Sequence, residues 1–80
     1  MNKRLKLLER MRANPRGDWT IQNMQTVARE FGITIRPPKR GDHYTASHPD
    51  LEEILTIPAR RPIKPVYVKR FVSMIDSITE

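Results

Sequence analysis

Two histidines, His43 and His48, are the side chains of this 80-residue chain whose charge changes near neutral pH. They stand five residues apart, and on one strand the alternation of side chains turns them to opposite faces. They therefore cannot easily bind one metal or flank one phosphate. A single imidazole can still take or give a proton in a transition state, at a gain of roughly 10²–10⁴-fold in rate. RNA suits such a lone group because it brings its own nucleophile, the 2′-hydroxyl. Deprotonating that hydroxyl, protonating the leaving 5′-oxygen and balancing charge on the phosphate suffice, and lysines and arginines can do the last of these. His43 follows Lys39-Arg40-Gly41-Asp42, so it stands at the mouth of a basic turn, beside a glycine expected to let a backbone approach closely. A lone histidine at a strand start is otherwise an ordinary polar surface residue. His48, next to Pro49, reads as a turn-facing histidine.

Other chemistries find little support. With no cysteine, disulfide scaffolds, thiolate zinc sites and cysteine nucleophiles are excluded. The three glycines, Gly17, Gly32 and Gly41, form neither a P-loop nor a dinucleotide fingerprint. No His/carboxylate cluster has metal-ligand spacing, so no cofactor and no metal is expected.

Charge points to the partner. Fifteen Lys/Arg against nine Asp/Glu leave a formal net charge of +6, which raises affinity for polyanions and speeds encounter with them. Nucleic acid is the first candidate and an acidic protein the second, with a merely solubilising charge as the plain alternative. Apolar residues make up 38% and charged residues 30% of the chain, a globular composition. A chain of this length forms one domain, 1–80, and buries roughly 60–65% of its unfolded surface, too little to carve a deep pocket. No apolar run approaches the ~20 residues that span a bilayer. The stretch MNKRLKLLERMRANP is charged throughout, unlike a secretory signal. No membrane association is expected, and a reducing cytoplasm is permitted.

The elements that must position His43 follow from period and punctuation. Leu5, Leu8 and Met11, with Leu7 beside them, predict a short amphipathic helix over about residues 3–13, with Lys3, Arg4, Lys6, Arg10 and Arg12 on its wet side. Thr20 is a plausible N-cap, with Trp19 placed to staple onto Met24. Ile21, Met24, Val27, Ala28 and Phe31 then share one helical face, and Gly32 sits where a left-handed cap is wanted. Ile33-Thr34-Ile35 reads as a strand stopped by Pro37-Pro38, His43–His48 as a second, and Leu55-Thr56-Ile57 as a third closed by Pro58. Short connections favour an antiparallel meander. A loop with Arg60, Arg61, Pro62 and Lys64 leads to Pro65, a suitable first residue for a last helix buried through Val68, Phe71, Val72 and Ile75. The fold class is α+β, a two-layer domain with the second and third helices covering one sheet face. Its α-β-β-β-α order after residue 18 is that of a double-stranded-RNA-binding fold. The helix within 1–16 is an addition whose packing is open.

Three stretches together resemble the HicA family, RNA-cleaving toxins of bacterial toxin–antitoxin pairs. Ile21–Gly32 resembles the family's first helix and its glycine. Arg40-Gly41-Asp42-His43-Tyr44 resembles its Gly-Ser-His signature. Leu55-Thr56-Ile57-Pro58, then Ile63-Lys64-Pro65 and the final helix, resembles its strand–proline–basic-loop–helix ending. The similarity covers a core of 18–78. By position it places the catalytic histidine on His43 and the motif glycine on Gly41. It further implies mRNA cleavage without a metal, and silencing by a HicB-type antitoxin in a heteromeric assembly. A homo-oligomer is a further possibility. Asp42 stands where the family has serine. A negative charge beside a phosphate site is unfavourable, and regular alternation would turn Asp42 away from His43.

Lys39, Arg40, Arg60, Arg61 and Lys64 are candidates to line the RNA path, against the alternative of solvated basic loops. Tyr44 reads as core in preference to a base-stacking platform. Two competing functions stay open beside the nuclease. One is an RNA-binding module of the same fold without catalysis, and the other is a basic adaptor for an acidic protein.

Overall fold

The second helix starts as its residues predict. The Thr20 hydroxyl accepts the Asn23 N–H at 3.2 Å while the Asn23 side chain accepts the Thr20 N–H at 2.9 Å, a reciprocal cap that satisfies two otherwise free donors. Trp19 lies half-buried against the core and donates its indole N–H to the Asn14 carbonyl at 2.7 Å. The computed structural model describes residues 3–79, with side chains from residue 6 onward. Within them α1 spans Lys3–Ala13, α2 Ile21–Glu30, β1 Thr34–Arg36, β2 His43–Ser47, β3 Leu55–Pro58 and α3 Pro65–Thr79.

The strand limits differ slightly from those predicted, for local reasons. Gly32 takes φ +71°, and the Ile33 N–H reaches back to the Ala28 carbonyl at 3.0 Å, the closure of a Schellman cap. That bond commits Ile33 to the helix end, so β1 begins at Thr34 and extends through Arg36. At the far end of β2 the His48 Nδ1 accepts the Asp50 N–H at 3.0 Å, turning the chain just after Ser47. β3 runs one residue longer than expected, through Pro58.

The strands form an antiparallel sheet in the order β1-β2-β3. Ile35 pairs with Ala46, Ala46 with Leu55 and Tyr44 with Ile57, so these side chains share the face turned to the helices. Thr34, Arg36, His43, Thr45 and Thr56 stand on the other. Ala46, Leu55 and Ile57 are buried and Tyr44 packs against the core, as its alternation predicts.

The helices do not form one layer. α2 packs on β1 and α3 on β3, while among the described residues α1 packs on both helices and on no strand. α2 and α3 thus cover one face of the sheet as expected, and α1, whose packing the sequence left open, adds a third, outer layer. Leu8 and Met11 enter the same buried cluster as Met24 and Phe71, so α1 belongs to the core, where each such side chain contributes roughly 1.5–3 kcal/mol. Leu5, Lys3 and Arg4, assigned above to the two sides of this helix, have side chains outside the described residues. Arg12 of α1 also grips Asp76 of α3 with two bonds of 2.7 Å. These hydrogen bonds hold the Asp76 carboxyl below the usual aspartate range and raise the Arg12 guanidinium. No helix among the described residues is long and apolar enough to cross a membrane.

Candidate active site

His43 is the first residue of β2, and what precedes it decides its surroundings. Gly41 adopts φ +77°, yet a Cβ there would meet nothing within 4 Å. The glycine therefore serves the left-handed turn and not the close backbone approach expected of it. The Ala59 N–H donates to the Asp42 carbonyl at 2.7 Å, which continues the pairing one step beyond His43 and Pro58. That bond fixes the entrance to β2 against the exit from β3.

The loop after β3 is anchored from below. The Ile63 N–H donates to the Trp19 carbonyl at 2.9 Å, with the Ile63 side chain buried. Arg61 forks onto Asp18, its Nε at 3.0 Å and Nη2 at 2.7 Å from the carboxylate oxygens. These bonds hold the Asp18 carboxyl below its ordinary range and raise the Arg61 guanidinium. The loop then enters α3, where the Lys64 carbonyl accepts the N–H groups of Tyr67 and Val68 at 3.0 and 3.3 Å. No acidic residue lies in the first turn of α3, so none of its own side chains there opposes the positive end of its dipole.

Between the two segments lies a cleft of about 270 Å³ lined by Asp42, His43, Pro58, Arg60, Pro62, Lys64 and Tyr67. The His43 side chain is 65% exposed, so both water and a ligand reach it. Its Nδ1 stands 3.4 Å from Asp42 Oδ1. Arg60 Nε donates to the other Asp42 oxygen at 3.0 Å, with the rest of that side chain open to solvent. The cleft thus combines a reachable imidazole, two cations and a half-buried aromatic ring.

His43, Arg60 and Lys64 are brought together here. Gly41 shapes the approach without lining the cleft. Lys39 and Arg40 are exposed on the connection before it and do not line it either. Arg61, expected beside them on the RNA path, is engaged by Asp18, so its charge is matched inside the protein. Asp42 does not turn away from His43. It precedes the strand, follows a left-handed glycine and is drawn to Arg60, so strand alternation does not govern it. Sequence reasoning missed Tyr67, although a side chain in the first turn of a helix faces the loop that feeds it. It also missed Asp18 as the partner of Arg61.

The remaining candidates separate cleanly. His48 sits beyond the opposite end of β2, its Nδ1 bonded in the turn and its ring beside Gly32. A larger cleft of about 420 Å³ between residues 51–55 and α3 includes Glu52, Glu53 and Arg70 but no histidine, and its carboxylates oppose a phosphate. Among the described residues, no three His, Asp or Glu side chains are grouped to hold a metal ion. No protein-family model, curated protein or solved structure matches the chain.

Proposed function

We propose that the chain is an endoribonuclease that cleaves mRNA without a metal, with His43 as its proton-transfer group. The observation that carries this reading is the exposed His43 imidazole in a cleft it shares with Arg60, Lys64 and the positive end of α3. The ring takes the proton of a ribose 2′-hydroxyl, the 2′-oxygen attacks the adjacent phosphorus, and the P–O5′ bond breaks. The 5′-oxygen receives a proton from the imidazolium or from water. The products are a 2′,3′-cyclic phosphate and a 5′-hydroxyl. Arg60 and Lys64 balance the charge that builds on the phosphate oxygens, and Tyr67 offers a ring face on which a base can stack.

The resemblance to HicA toxins extends the proposal. It makes the chain the toxin of a toxin–antitoxin pair with a double-stranded-RNA-binding-like core, working in the cytoplasm and silenced by a HicB-type antitoxin laid over the cleft. The α-β-β-β-α order from Ile21 to Thr79 and the position of His43 directly after Gly41-Asp42 support it.

The test is incubation of the purified chain with RNA in the continuous presence of EDTA. The proposal expects shortened RNA carrying cyclic phosphate ends. RNA that binds with steep salt dependence but keeps its full length would instead make the protein a binding module.

A further inference from the structure

The residue that departs from the resembled motif is placed to act on the histidine beside it. Asp42 is not a free surface carboxylate. Its backbone is fixed by the bond from Ala59 at 2.7 Å, its side chain is 33% exposed, and one oxygen is held by Arg60 Nε at 3.0 Å. The other oxygen lies 3.4 Å from His43 Nδ1, an ion-pair separation just beyond hydrogen-bond length. All three side chains line the same cleft.

A carboxylate only accepts hydrogen bonds, so a bond formed across this contact requires the imidazole nitrogen facing it to carry the proton. The neutral ring then has Nδ1 protonated and Nε2 bare. Free imidazole side chains favour the reverse tautomer, with the proton on Nε2, which cannot accept a proton at that atom. We infer that Asp42 is the positioning residue of His43, holding the proton on Nδ1 so that Nε2 is left as the base, with Arg60 as the counterion that keeps the carboxylate in place. This rests on the nuclease reading above and supplies what a lone imidazole lacks, a defined tautomer and orientation. It also accounts for a negative charge being tolerated beside a phosphate site, because the cleft sets two cations, Arg60 and Lys64, against that one carboxylate. The proton transfer is balanced: one proton passes from the ribose 2′-oxygen to Nε2, and the Nδ1 proton stays where it is.

The test uses Asp42→Asn in the full chain, read first by long-range ¹H–¹⁵N NMR of the imidazole. In the variant Arg60 still claims the amide oxygen, which turns the amide NH2 toward Nδ1. Two donors cannot face each other, so the neutral ring is expected to switch from Nδ1–H to Nε2–H. The same tautomer in both proteins would overturn the inference, whether or not RNA is cleaved. Cleavage gives the second readout. Loss of a charge contact of this length in a solvent-exposed setting is expected to lower kcat about tenfold with KM within about twofold, and Asp42→Glu should recover part of the loss. An unchanged kcat, or a loss confined to KM, would show that Asp42 does not position the base. Should the wild-type chain cleave no RNA, the nuclease reading falls, and the NMR comparison still decides the role of Asp42.

Discussion

The two ends of β2 carry the same side chain in opposite circumstances. At one end the His48 imidazole is spent on structure: its Nδ1 accepts the Asp50 N–H and closes the turn, with the ring set beside Gly32. At the other end the His43 Nδ1 faces a carboxylate, most of the ring is exposed, and a cleft with two cations opens beside it. The difference teaches that a histidine's capacity for chemistry is set by what faces its two nitrogens. A backbone N–H uses up a lone pair, whereas a carboxylate at Nδ1 leaves the Nε2 lone pair available. A parallel contrast separates two neighbours in the next loop. Arg61 closes a bidentate pair with Asp18, while Arg60 spends one donor on Asp42 and keeps the rest of its fork for a ligand.

Replacing each histidine in turn should give the largest separation. His43→Ala is expected to lower RNA cleavage by roughly 10²–10⁴-fold and to abolish growth arrest on expression, with an unchanged circular-dichroism spectrum. His48→Ala should cleave within about twofold of the parent and melt at a lower temperature, because the turn loses an acceptor. Equal losses from both would erase the distinction between the ends.

The next effect is on the outer helical layer. Met11→Ala is expected to destabilise the domain by about 2–5 kcal/mol, measured by urea denaturation, because Met11 is fully buried where α1 meets α2 and α3. A cost below about 0.5 kcal/mol would mean that α1 is an appendage and not part of the core.

A smaller effect sharpens the contrast between the arginines. Arg60→Ala should weaken RNA binding and reduce the slope of log affinity against log salt by about 0.7, the loss of one single-strand phosphate contact. Arg61→Ala should leave that slope unchanged while lowering the melting temperature. The reverse assignment would place the RNA on the Asp18 side of the loop.

The smallest effect is acid sensitivity. Asp18 and Asp76 have carboxyls held below their unfolded value by their arginine partners. Their contribution is therefore complete above the ordinary aspartate range, about pH 4, and is lost as pH falls further through the lowered folded values. Denaturation series between pH 5 and 2.5 should show Asp18→Asn and Asp76→Asn losing less stability on acidification than the parent. Parallel loss in all three proteins would show that these pairs do not contribute.

The order of elements was legible because each is punctuated locally. Thr20 caps one helix, Gly32 ends it, Pro37-Pro38 stops a strand and Pro65 opens the last helix, each a signal contained within a few residues, whereas the Asn23 half of the cap was not read. The one-residue shift of β1 arose where two local signals competed for Ile33, and the cap bond to Ala28 prevailed over β-branching. Contacts between distant residues were not legible. Arg12 meets Asp76 and Arg61 meets Asp18 across 64 and 43 residues, and no period in the sequence encodes such partners. The site was half legible. The type of His43 and its place after a basic turn made it a candidate, but alternation placed Asp42 on the wrong side because a left-handed glycine interrupts the strand just before it.

Chemical rescue tests the proton-transfer role of His43 most directly. His43→Gly leaves space for a small base, so added imidazole should restore RNA cleavage in a saturable way, with the same cyclic phosphate ends and with EDTA present throughout. Cleavage by His43→Gly at the parent rate without imidazole would contradict the role assigned to that ring.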